Sequence, residues 1–223
     1  MQLACSLANF PEIHHHKHMP QFFYPDKSQI QANHSETARY LGYKLSTPPD
    51  STITALIEQT AEEMHKVIMP KACYETFPLH LLGENDAQNI TFADVTFTSR
   101  DLYHNLHDCT QVTLFAATIG PQIDALIRRT QAFDPVKASI MQATGAMYIE
   151  QFVDLLNKQI ENEAASQGLL TRPRYSPGFG DVPLAIQKDF FRLLPCQKIG
   201  LTLMDTLIMA PEKSVTAFVG AYK

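Results

Sequence analysis

The segment QVTLFAATIG, residues 111–120, constrains the fold most strongly, because it is an almost unbroken run of β-branched, aromatic and small apolar residues. Such a run is typical of a central strand in a sheet. Gly120 and Pro121 end the run, and a proline at this point favours the first turn of a helix, here PQIDALIRRT. We therefore expect a sheet with helices packed against it.

Other stretches of the sequence alternate between helix-like and strand-like patterns. Apolar residues recur at three- and four-residue intervals between Ser51 and Pro70, which indicates an amphipathic helix, and a longer helix is indicated from Pro135 to about Ser166. In the segment NITFADVTFTS, apolar and polar residues alternate as in two short strands. This order predicts an α/β or α+β fold with a mixed or antiparallel sheet flanked by helices.

Two further elements are expected near the C-terminus. The segment DVPLAIQKDFFRLL predicts a helix that is capped by Asp181 and ends before Pro195. The apolar runs on either side of residues 211–214 predict a β-hairpin. Both elements follow a glycine-containing segment at residues 174–181.

Residues 1–33 differ in composition from the rest of the chain. They are rich in His, Pro, Gln and Asn, show no sustained periodicity, and contain the cluster HHHKH with His14, His15, His16 and His18. We expect a poorly ordered N-terminal arm there, followed by one domain over residues 34–223. The histidines could bind a divalent metal, but their spacing fixes no coordination geometry, so we assign them no metal site.

The composition argues against several classes of partner. The net charge of -5 and the pI of about 6.0 leave no basic surplus for binding nucleic acid or an acidic membrane surface. The four cysteines stand far apart, which predicts free thiols in a reducing compartment. No apolar run approaches the roughly 20 residues that span a bilayer. We therefore expect a cytoplasmic protein.

The sequence lacks the motifs of several common chemistries. It contains no G-x-x-x-x-G-K-[ST] phosphate loop, no D-x-H-x-x-G corrinoid-binding loop and no nucleophile elbow. His104 and His107, with Cys109 close by, could ligate a metal, although an exposed pair on a helix is the simpler interpretation. We assign no metal ligand and no catalytic acid, base or nucleophile.

The segment RYSPGFGD, residues 174–181, is the strongest candidate for a binding site. The Arg174 guanidinium can pair with a carboxylate through two hydrogen bonds, and the two glycines let the backbone approach a ligand closely. Glu150 follows the apolar stripe of the preceding helix and could bind a cationic group. This combination suits a small zwitterion; a turn between helices whose arginine caps carbonyl groups is the alternative.

The segments ARYLGYK, LFAATIG and RYSPGFG, followed by KIGLTLMDTLIMAPEKSVTA, resemble the activation domain of B12-dependent methionine synthase and, more closely, stand-alone activation-domain proteins. The resemblance covers residues from about 35 to the end. It implies S-adenosylmethionine binding by Arg174, Gly178, Glu150 and the main chain of Ser176, with Phe179 in place of the usual tyrosine. Phenylalanine keeps the packing of the ring but lacks the hydroxyl, so no hydrogen bond from that hydroxyl is expected.

The resemblance also implies a function. The protein would present S-adenosylmethionine to the cobalamin of a corrinoid-carrying subunit of B12-dependent methionine synthase. A flavodoxin-like reductase would supply one electron, so that the cob(II)alamin form is reductively methylated. The chain would be a component of this methyltransferase system, without a complete active site of its own. The alternatives are reactivation of another corrinoid methyltransferase, a docking module that binds no ligand, and metal storage by the His-rich arm.

Overall fold

The computed structural model describes residues 19–84 and 87–223. The helices are α1 (His34–Tyr40), α2 (Ser51–His65), α3 (Arg100–Asn105), α4 (Pro121–Gln131), α5 (Pro135–Ser166) and α6 (Gln187–Leu193). The strands are β1 (Gln21–Phe23), β2 (Lys71–Glu84), β3 (Ala87–Phe92), β4 (Val95–Thr98), β5 (Gln111–Thr118), β6 (Leu170–Thr171), β7 (Thr202–Leu203), β8 (Met209–Ala210) and β9 (Ser214–Tyr222).

Seven strands form one antiparallel sheet in the order β4-β3-β2-β5-β9-β6, with β1 paired to the first part of β2. The sequence QVTLFAAT forms β5, which pairs with β2 on one side and β9 on the other. Helices pack on both faces, so the predicted class, an antiparallel sheet flanked by helices, is confirmed.

The alternation of side chains along β5 explains why the sheet needs helices on both faces. Phe115 and Ala117 point into a core shared with α2, α4 and α5, whereas Leu114 and Ala116 point into a second core shared with α3 and α6. All four side chains are fully buried. An apolar strand of this kind is stable only in the middle of three layers.

The long helix α5 forms most of the helical wall over the first core. Asp134 caps its N-terminus by accepting the Lys137 N–H at 2.9 Å, and Pro135 occupies its first turn. Its 32 residues correspond to a length of about 48 Å.

The predicted N-terminal boundary at residue 34 is wrong. Residues 21–23 form a strand on β2, with Phe22 packed against the second core and Phe23 against the first. Ile30 is 1% exposed and belongs to the first core. The domain therefore starts before residue 34, because apolar side chains in this stretch fill gaps in both cores. The histidine cluster lies outside the described residues.

The predicted hairpin around residues 211–214 is also wrong. Strand β8 pairs with β7, and β9 runs instead between β5 and β6 in the main sheet. The two apolar runs are both strands, but their partners lie elsewhere in the chain. Likewise, the helix after Asp181 begins only at Gln187, after a single 3-10 turn over residues 184–186.

Three of the cysteines, Cys73, Cys109 and Cys196, are buried free thiols, and Cys5 lies outside the described residues. Within residues 19–84 and 87–223, the side chains of His, Cys, Asp and Glu form no group of three or more that could hold a metal ion. In the same ranges, none of the helices combines the length and the apolar character that a membrane-spanning helix needs.

Candidate functional site

The candidate site lies at the edge of the sheet, where the chain leaves β6. Thr171 pairs with Ala221, and Tyr175 pairs with Phe218. The segment therefore advances by four residues where β9 advances by three, so it contains one extra residue. The extra residue forms a bulge at Pro173 and Arg174, and a proline, which has no N–H to donate, suits such a position. The bulge directs the Arg174 side chain towards α5.

Arg174 lies between two carboxylates that are one helical turn apart on α5. Its Nη2 donates to Glu150 Oε2 at 2.8 Å, and its Nη1 donates to Asp154 Oδ1 at 2.7 Å. Burial favours a lower pKa for Arg174, but the hydrogen bonds and charges of Asp154 and Glu150 outweigh it and raise the pKa. The guanidinium is therefore charged, and the three side chains together carry one excess negative charge.

The segment after Arg174 folds into a tight turn over residues 176–182. The Gly178 N–H donates to the Val182 carbonyl at 3.0 Å, and the Phe179 N–H donates to the Ser176 carbonyl at 3.2 Å. Gly178 has φ of 86°, a conformation that favours glycine. Phe179 is 66% exposed in this turn. The turn thus exposes the Phe179 side chain five residues after Arg174 in the chain.

Helix α3 holds this turn in place through Asp181. The Asp181 carboxylate accepts hydrogen bonds from the Ser99 hydroxyl and from the N–H groups of Arg100 and Asp101, at 2.8 and 3.1 Å for the latter two. The predicted role of Asp181 as a cap of the following helix is wrong, because its side chain reaches back to the N-terminus of α3. These hydrogen bonds lower the pKa of Asp181, with the Ser99 hydroxyl as the largest cause.

Gly180 is required by the close packing of this anchor. A Cβ at this position would overlap the Asp101 carboxylate and the Tyr175 hydroxyl, and its φ of 51° favours glycine. At the other end of the segment, Asn105 Nδ2 donates to the Pro173 carbonyl at 3.1 Å. Contacts with α3 and with Ser99, which directly precedes it, therefore fix both ends of the stretch that contains Arg174.

We expect Asp181→Asn to lower the Tm by about 2–4 °C at pH 7, because an amide offers one acceptor oxygen and no charge to three donors at the start of α3. A lowered folded pKa stabilises the protein above the unfolded value of about 3.9, and this stabilisation disappears as the pH falls through the folded pKa. Thermal unfolding of both proteins between pH 7 and pH 3 measures the difference, which should shrink with acid. The exposed Asp205→Asn serves as the control; a difference equal to that of the control would contradict the prediction.

The structure brings together the side chains that the sequence singled out. Arg174 and Glu150 are in direct contact, and Ser176, Gly178 and Phe179 form the adjoining turn. Asp154 was not predicted from the sequence, although its position four residues after Glu150 on a helix was a usable signal. The interpretation of His104 and His107 as a pair on one helix is wrong, because only His104 lies in α3; His107 follows it, and its Nε2 lies 3.0 Å from Nη2 of Arg172.

No protein-family model matches the sequence, and no curated protein matches it. Among solved structures, the fold is similar to the crystal structure of the MetH reactivation domain bound to AdoHcy, with a TM-score of 0.68 and 15% sequence identity. The similarity covers 91% of this chain and 78% of that chain. At this identity the comparison is evidence for the fold. The protein therefore has the fold of the MetH reactivation domain, as its sequence motifs predict.

Proposed function

We propose that this protein binds S-adenosylmethionine at Arg174, Glu150 and the turn over residues 176–179, and that it supports reductive methylation of a B12-dependent methionine synthase. The observation that carries the proposal is the charged cluster of Arg174, Glu150 and Asp154 beside this exposed turn. The proposal is also supported by the fold that this chain shares with a reactivation domain whose crystal structure contains AdoHcy.

The charges of the site complement those of the ligand. S-adenosylmethionine carries an ammonium, a sulfonium and a carboxylate, and Arg174 and Glu150 offer it one positive and one negative side chain. The Arg174 fork suits the carboxylate, and the Glu150 oxygen suits the ammonium. Opposite charges at both ends of the amino-acid moiety fix its orientation as well as its affinity.

The turn suits the rest of the ligand. The exposed Phe179 side chain and the Leu184 side chain, whose Cδ1 lies 3.1 Å from where a Cβ of Gly178 would stand, offer an apolar face to the ribose or adenine. The Ser176 carbonyl accepts one hydrogen bond within the turn and retains a second lone pair for a ligand donor. The residues present therefore fit the nucleoside without a tyrosine hydroxyl at position 179.

The role of this chain in the reaction is positioning. S-adenosylmethionine supplies a methyl group that is already activated by the sulfonium, a separate reductase such as a flavodoxin supplies one electron, and the partner subunit carries the cobalamin. The products are methylcobalamin on the partner and S-adenosylhomocysteine. This chain needs no acid or base for that transfer. Arg174, Glu150 and the turn hold the donor in one orientation, and the entropy cost of orienting two reactants is a large part of the barrier to such a reaction.

The proposal is tested with purified components. We expect isothermal titration calorimetry to detect saturable binding of S-adenosylmethionine, and visible absorption to show conversion of cob(II)alamin to methylcobalamin on a methionine synthase subunit that lacks its own activation domain. Reduced flavodoxin supplies the electron, and omission of this protein is the control. No heat of binding with a folded protein would contradict the proposal and favour a docking module. Binding with methylation only of a different corrinoid methyltransferase would change the partner.

A further inference from the structure

Asp154 is the more exposed of the two carboxylates that contact Arg174. Its side chain is 58% exposed, against 38% for Glu150 and 29% for Arg174 itself. The Nη1 nitrogen of Arg174 is therefore paired with the more hydrated of the two carboxylates. Of the two contacts of Arg174, this one is the more open to competition from a ligand.

Neither of the two carboxylates forms the strongest contact that Arg174 can make with a carboxylate. Each accepts one hydrogen bond from a different terminal nitrogen, so neither forms the paired two-bond contact that makes arginine a strong carboxylate receptor. A third carboxylate can form that paired contact only if one of the present two withdraws, because three negative charges around one guanidinium repel each other. Release of Asp154 costs less free energy than release of Glu150, because the Asp154 side chain is more exposed and therefore already more hydrated.

We propose that Asp154 occupies, in the free protein, the place of the ligand carboxylate on Arg174, and that it sets the affinity by competing for that place. This inference rests on the proposed function. Asp154 is then a specificity-determining residue: it opposes weak anions, which cannot displace it, and admits an amino-acid carboxylate that arrives with an ammonium for Glu150. Glu150 remains in contact with Arg174 throughout.

The proposal predicts that neutralising Asp154 strengthens ligand binding, whereas neutralising an ordinary attractive charge weakens it. If Asp154 attracted the cationic groups of the ligand, its neutralisation would weaken binding of every S-adenosyl compound. If it competes with the ligand carboxylate, its neutralisation strengthens binding, but only for ligands that have the carboxylate. Decarboxylated S-adenosylmethionine, which keeps the sulfonium and the amine, separates the two.

The experiment is calorimetric titration of wild type, Asp154→Asn and Asp154→Ala with both compounds. We expect both variants to bind S-adenosylmethionine about two- to fivefold more tightly than wild type, the range that loss of an exposed ion pair contributes. Binding of the decarboxylated compound should stay unchanged or weaken. Asp205→Asn, which removes the same charge from an exposed turn, should change neither affinity.

Unchanged or weaker binding of S-adenosylmethionine by both Asp154 variants, with circular dichroism equal to wild type, would overturn this inference and leave the proposed function intact. Equal tightening for both compounds would also overturn it, since the carboxylate would then be irrelevant. Absence of binding by wild type and by every variant would overturn the proposed function, and this inference with it.

Discussion

Arg174→Ala should weaken binding of S-adenosylmethionine by about 30-fold or more. The substitution removes the guanidinium that would pair with the ligand carboxylate and leaves Glu150 and Asp154, which are one helical turn apart, without the cation between them. Truncating one member of a hydrogen-bonded charge pair costs about 2–5 kcal/mol of binding free energy, which gives this factor. Calorimetry measures the loss, and the methylation assay should lose its dependence on this protein.

Arg192→Ala is a closely matched control. Arg192 also bridges two carboxylates, since it donates to Asp94 at 2.8 and 2.9 Å and to Asp189 at 3.2 Å, but it joins α6 to the turn between β3 and β4. Its removal deletes the same chemical group and the same number of ion pairs. We expect it to leave the affinity within about twofold of wild type. Binding that survives Arg174→Ala, or that falls equally in both variants, would refute the assignment of Arg174.

The sequence predicted the elements whose stability depends on a local pattern. The strand β5 and the helices α2, α4 and α5 were found because their apolar residues repeat with period two or 3.6, or because prolines mark their ends. Strand β2 was missed, since Pro78 interrupts its pattern. The structure tolerates Pro78 because β2 changes partners there: it pairs with β5 up to Pro78 and with β3 from Leu79.

Local sequence patterns could not show which strands pair or which hydrogen bonds hold the candidate site in place. The hydrogen bonds between Asp181 and the start of α3 join residues about 80 positions apart, and no local pattern records such a pair. The pairing of β9 with β5 joins residues about 100 positions apart, so the adjacent run at β8 looked like its natural partner. Arg174 and Glu150 were predicted from chemical type and from a family resemblance, whereas their contact through a bulge followed only from the structure.

The bulge itself depends on β9, and the side chain that fixes β9 in the second core is Phe218. Its ring is fully buried, with the ring centroid of Phe190 at 4.8 Å, that of Phe92 at 5.7 Å and that of Phe97 at 6.2 Å. We expect Phe218→Ala to lower the free energy of unfolding by about 3–5 kcal/mol, since it loses the burial of a phenyl ring and leaves a cavity among three others. Urea unfolding measures this loss against a total of about 5–15 kcal/mol for a typical domain.

Phe133→Ala is the control for this substitution, because Phe133 is 89% exposed and should contribute less than about 0.5 kcal/mol. A loss below about 1 kcal/mol at Phe218 would contradict its central position in the second core.

The same variant separates stability from binding. Phe218 contacts the candidate site through main-chain hydrogen bonds to Tyr175, at 2.8 and 2.9 Å, which alanine retains. At a temperature where Phe218→Ala is still folded, it should therefore bind S-adenosylmethionine nearly as tightly as wild type, whereas Arg174→Ala should lose binding with little loss of stability.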